Sequence, residues 1–282
     1  MPFKDLLFAT FTYPDPTPER ALRSGVALAA RLGGTLTLLA TRVDIPELHN
    51  RLANVLIDLD RMASDEEARS AATAHRAAIC VSIAAEEAGV EAACLARTAK
   101  LYEEGSCISA AARTRDLCLV AIGPAVSNAR SVAETVLFES GRPLIVFPEA
   151  VEVMAAPQFG TVAIAWDGSA KAARAVADAM PLLARAGQVR ILVVTDEKPT
   201  TKAGSALDLI RHLEAHGVSG VVDEAPIGEQ DIGRALTDYV TAHDVGLLVM
   251  GGFGHARARE FILGGATRRM LEAPPCPILM SH

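Results

Sequence analysis

The residues best suited to chemistry lie in "GGFGHARAREFILGGATRRM", residues 251–270. Gly251 is followed by two residues and Gly254, then by nine residues and Gly264, with Gly252 and Gly265 beside the end points. His255, Arg257 and Arg259 sit among them. Glycine tolerates positive φ and lets backbone N–H groups approach a ligand closely. The apolar run "VGLLVM" (245–250) before this segment reads as a buried strand, and "ATRRMLEA" after it as a helix starting near Ala266. A helix start offers unbonded N–H groups and the positive end of the helix dipole. Strand, glycine loop and helix start, in that order, suit an anion such as phosphate. The familiar nucleotide loops fail on spacing. No GxxxxGK[ST] run exists, and Gly252-Phe253-Gly254 is followed by Arg257 where a dinucleotide fingerprint needs a third glycine.

The elements that must hold this segment alternate along the second half. "TVAIAW" (161–166), "VRILVV" (189–194), "VSGVVDEAP", "VGLLVM" (245–250) and "CPILMS" (276–281) read as strands. Residues 169–187, 205–217 and 231–244 between them read as helices, with Ser169 as N-cap of the first and Gly187 and Gly217 as stops. Apolar strands alternating with helices predict a parallel sheet covered on its faces. The first half repeats the plan with "LLFATF", a helix, and "TLTLLAT". "DLCLVAIG" (116–123) mirrors "DVGLLVMG" (244–251), with Asp116 and Asp244 128 residues apart. Pro143 of "RPLIVFP" and Pro277 of "CPILMSH" are 134 apart, so the first half is shorter where the second carries its glycines. Two doubly wound α/β domains are expected, residues 1–149 and 158–282, joined by a linker at 149–158. Each is a five-stranded parallel sheet with the order 3-2-1-4-5. Residues 45–78 read as one or two helices added to the first domain.

The remaining composition narrows the class. A net charge of −7 disfavours a nucleic-acid partner, which needs a basic surface. No run of ~18 apolar residues predicts a membrane span, and the N-terminus lacks a signal-peptide pattern. Five cysteines, an odd number with no CxxC pair, point to reduced thiols and a cytoplasmic location. His212 and His216, one helical turn apart, could hold a metal but have no evident third ligand.

The Gly-x-x-Gly, nine residues, Gly spacing after "LLVMG", closed by a helix and a Pro-x-hydrophobic strand, resembles the universal stress proteins. The resemblance covers the second half fully and the first more loosely. It implies a tandem member whose second domain binds an adenine nucleotide: ATP, with ADP or AMP as alternatives, and Mg²⁺ as a companion. Carried over residue by residue, it implies that Asp167, with Ala165 before it, contacts the adenosine. Val194 flanks the adenine. Met250 and Gly251 lie beside the ribose. Gly254, His255, Gly264, Gly265, Ala266 and Thr267 surround the phosphates. Gly265 departs from the Ser or Thr usual at its position, and Thr267 is the nearby hydroxyl. The fifth strands are expected to pair between the two halves as an internal pseudo-dimer. A homodimer of chains and an unidentified protein partner are left open. No catalytic residue is assigned. Asp167 and Glu260 are the only carboxylates near the loop, so at most slow ATP hydrolysis is expected. Asp167 also reads as a cap for the helix after it, Trp166 as packing or base stacking, and the loop cations as a solvated face. A ligand-free interaction module of the same fold is the rival reading.

Overall fold

The computed structural model describes residues 3–46, 58–149, 159–195, 203–226, 231–252 and 265–282. The first half runs β1 (Asp5–Thr10), α1 (Glu19–Leu32), β2 (Thr35–Val43), α2 (Leu59–Ala88), β3 (Ala92–Ala99), α3 (Glu104–Ala112), β4 (Leu117–Ile122), α4 (Ala129–Glu139) and β5 (Leu144–Pro148). The second runs β6 (Thr161–Ala165), α5 (Ala170–Leu183), β7 (Gln188–Thr195), α6 (Ala203–Ala215), β8 (Gly220–Pro226), α7 (Ile232–Ala242), β9 (Val245–Gly251), α8 (Gly265–Glu272) and β10 (Ile278–Ser281).

All ten strands form one sheet in the order β3-β2-β1-β4-β5-β10-β9-β6-β7-β8. Each half therefore has the order 3-2-1-4-5, with every pairing inside a half parallel. The halves meet at one antiparallel seam, where Leu144, Ile145 and Val146 of β5 face Met280, Leu279 and Ile278 of β10. A sheet with helices on both faces buries its central strands on both sides. All six residues of β4 are buried accordingly, and so are all four of β10. One apolar layer gathers Leu6, Phe8, Leu36 and Leu38 with Ile164, Ile191 and Val249 under α1, α2, α5 and α6. The other gathers Leu7, Val120 and Val146 with Leu248, Met250 and Ile278.

Two sequence expectations change. The helix after β6 ends at Leu183, four residues short of Gly187. Gly187 instead leads into β7 and donates its N–H to the Phe159 carbonyl at 3.2 Å. The stretch at 45–78 is not an added element where it is described. Residues 59–78 belong to α2, the crossover from β2 to β3, which has 30 residues against 13 for α6. Helix α2 begins at the Asp58 cap, whose side chain accepts the Arg61 N–H. Residues 47–57 lie outside the described residues. No helix among the described residues is long and apolar enough to cross a membrane.

Candidate functional site

In a parallel sheet of this order, β6 and β9 are neighbours whose connections leave toward opposite faces. Their carboxyl ends therefore flank the crevice where such sheets take ligands. The register sets Ala165 of β6 opposite Met250 of β9 and Leu192 of β7. Ala165 is half-buried and Met250 is buried. Val194, one strand further, is half-buried and pairs with Ala225 of β8.

The turn leaving β6 is built locally. Asp167 Oδ1 accepts the Ser169 N–H at 2.9 Å, and Ser169 Oγ accepts the Ala172 N–H at 3.1 Å as the N-cap of α5. Gly168 between them has φ 72°. Ser169 therefore caps the helix, while Asp167 stays exposed at the crevice and supports the turn. Trp166 turns away. Its indole Nε1 donates to Ser205 Oγ at 3.2 Å, and its ring packs on the core under α5 and α6. The packing reading of Trp166 is the one its position supports.

Gly251 closes the opposite wall. A Cβ there would lie 2.6 Å from the Ala172 nitrogen and 2.7 Å from the Lys171 carbonyl carbon. Only glycine lets the end of β9 press this closely on the first turn of α5. Gly252 N–H then donates to the Ser281 carbonyl at 2.8 Å. Gly265, Ala266 and Thr267 form the first turn of α8. Gly265 has open space around it, whereas Thr267 is buried, with 3% of its surface exposed. Gly254, His255 and Gly264 lie outside the described residues, as do Arg257, Arg259 and Glu260. The described chain thus brings Ala165, Asp167, Val194, Met250 and Gly251 to one edge of the second half.

The sequence reading missed one pair at this edge. Lys171, the second residue of α5, reaches His282, just past β10, with Nζ and Nε2 2.7 Å apart. Partial burial lowers the Lys171 pKa, and burial with the Lys171 charge lowers that of His282. A neutral imidazole accepting from the ammonium fits both directions. Phe138 of α4 meets the His282 ring edge-on at 4.7 Å, so the first half touches the rim of this site. No sequence signal marked the pair, because its members are 111 residues apart and join only through the sheet.

His212 and His216 stack edge to face at 4.9 Å, and no group of three His, Cys, Asp or Glu among the described residues is placed to hold a metal. All five cysteines are free thiols. Burial pushes Cys118 and Cys276 up to about 12, while Cys94 is exposed.

Comparison with known proteins agrees with this geometry. The family model described as "Universal stress protein family" matches residues 158–282. A universal stress protein from Archaeoglobus fulgidus DSM 4304 is similar in structure, with a TM-score of 0.67 and 16% identity, over 98% of this chain and 97% of that one. A functionally unknown protein from Pseudomonas aeruginosa PAO1 is similar with a TM-score of 0.54 and 13% identity, over 98% and 92% of the two chains. At these identities the likeness is one of fold. Among curated proteins, no significant match is found. Residues 158–282, which carry the glycine segment and the carboxyl ends of β6 and β9, are similar to the universal stress protein family over the full span of its model's match.

Proposed function

We propose that the second half binds one adenine nucleotide, ATP foremost, and that the protein acts as a nucleotide-dependent regulator in a stress response. The observation that carries this reading is the meeting of the carboxyl ends of β6 and β9 at the switch point of the strand order, where such sheets take ligands. This edge has Asp167 on one side and a glycine-only contact at Gly251 on the other. Ala165, Val194 and Met250 supply an apolar floor for a base and ribose. The phosphates are assigned to the segment from Gly254 to Gly264 and to the N–H groups of the first turn of α8. Mg²⁺ would accompany the phosphates, with Asp167 as an exposed carboxylate at the same sheet edge. Regulation rather than turnover fits a sequence with only Asp167 and Glu260 as carboxylates near the loop, since phosphoryl transfer needs a held metal and a positioned base.

A second reading, a ligand-free interaction module of the same fold, is favoured by one specific observation. Gly265 has no hydroxyl, and the Thr267 side chain is buried, so neither offers an exposed hydroxyl at the start of α8. One neutral hydrogen bond is worth only ~0.5–1.5 kcal/mol, which weakens a site without removing it.

Calorimetric titration with ATP, ADP and AMP in the presence of Mg²⁺ separates the readings. Saturation near one ATP per chain, lost in Gly254→Asp, supports the nucleotide site. A folded protein that takes up none of the three supports the interaction module.

A further inference from the structure

The first half has no glycine loop after β4, yet the corresponding place is built for an anion. Gly123 follows β4 as Gly251 ends β9. A Cβ at Gly123 would come within 2.3 Å of the Glu149 carboxyl carbon, so the missing side chain is what makes room for that carboxylate. Glu149 follows β5 directly, and its N–H donates to the Ile122 carbonyl at 3.0 Å, which folds it back over the end of β4. Its Oε1 accepts the Ala125 N–H of the loop after β4 at 3.1 Å, and its Oε2 meets the Arg20 guanidinium at 3.0 Å. The Glu149 side chain is 3% exposed. Backbone amide, guanidinium and glycine converging on one carboxylate at the carboxyl end of a parallel sheet are the parts of an oxyanion site.

The second half shows the same frame with different occupants. Arg20 is the second residue of α1, and Lys171 is the second residue of α5. Glu149 is the first residue past β5, and His282 the first past β10. A cation at the start of the first helix thus meets the residue after the fifth strand in both halves, a carboxylate side chain in the first and an imidazole in the second.

We infer that the first half contains a phosphate-type anion seat held by Arg20, the Ala125 N–H and Gly123, and that its own Glu149 carboxylate occupies it as a tethered stand-in for the ligand. The seat is self-closed, which restricts ligand uptake to the second half. This rests on the proposed nucleotide reading only for the contrast between halves; the seat itself is tested without nucleotide. A tethered group competes at an effective concentration on the order of millimolar, so free phosphate below that level does not displace it.

The test uses the full chain carrying Gly254→Asp, to silence the second-half loop, and inorganic phosphate as probe. Thermal unfolding is followed against phosphate concentration, because a ligand that binds only the folded state raises Tm by mass action. In the Gly254→Asp parent, Tm should not respond to phosphate up to about 1 mM. Adding Glu149→Ala should produce a saturable rise over that range, with phosphate affinity at least roughly tenfold above the parent's. Adding Arg20→Gln to that double variant should abolish the rise. If Glu149→Ala does not fold, Glu149→Gln takes its place, retaining an acceptor for the Ala125 N–H while removing the charge that excludes phosphate. A folded Glu149 variant with no response beyond the parent's overturns the inference, and so does a response that survives loss of Arg20. ATP binding by the wild-type second half is scored separately by calorimetry, so either reading can fail alone.

Discussion

Gly251→Ala probes the wall of the crevice directly. The added methyl would stand 2.6 Å from the Ala172 nitrogen and 2.7 Å from the Lys171 carbonyl carbon. Comfortable contacts between such atoms are about 3.5–4.0 Å, so β9 and α5 must separate by roughly 1 Å. Both clashing atoms belong to a backbone fixed by the Ser169 cap, and no side-chain rotation relieves them. Overpacking of this kind costs about 1–3 kcal/mol. In a domain of 150–250 residues each kcal/mol lowers Tm by about 2–4 °C. Gly265→Ala is the matched control. Its Cβ meets nothing within 4 Å, and it opens a helix. There alanine should leave stability unchanged or raise it by about 0.4–1 kcal/mol. Urea melts of the two variants beside wild type give the comparison. A Gly251→Ala protein within about 0.5 kcal/mol of wild type would refute the close approach of β9 to α5.

Further outcomes follow from other contacts. Burial raises the Glu104 pKa from 4.5 to about 7, against the opposing hydrogen bonds from Thr41 and Asn128. The folded state therefore holds this proton more tightly than the unfolded one. Its contribution, on the order of 3 kcal/mol, is full below pH 4.5 and is lost as pH rises through about 7. Glu104→Gln should accordingly gain on wild type between pH 5 and pH 8 in urea melts, and parallel stability curves would contradict this. Asp231→Ala removes the cap bond to the Arg234 N–H, 2.9 Å long, and should cost α7 about 0.5–2 kcal/mol by chemical denaturation. No loss would mean the cap is replaced by water.

The fold was legible because two signals coincided. Strand runs such as "DLCLVAIG" and "DVGLLVMG" repeat between the halves, and a short apolar run between helices has few alternatives to a parallel strand. Single-residue signals held where the chemistry is local, as in Ser169 capping α5 and Gly217 adopting φ 73° after α6. They failed where tertiary contact decides. Gly187 looked like a helix stop, but the helix ends earlier and the glycine accommodates the Gly160 carbonyl oxygen, 2.9 Å from where its Cβ would be. Asp167 and Gly251 were readable as residues at the carboxyl ends of β6 and β9 from the apolar runs before them. Arg20 with Glu149, and Lys171 with His282, were not, since each pair spans more than a hundred residues and carries no motif.

The central claim is that one half takes up nucleotide and the other does not. Amide hydrogen exchange with and without saturating ATP and Mg²⁺ locates the ligand on the chain. The account predicts added protection at the turn after β6, residues 165–172, at the end of β9, and at the first turn of α8. It predicts no change at the corresponding first-half positions, residues 10–20 and 122–128. Protection in the first half, or none in the second from a protein that calorimetry shows to be saturated, would contradict it.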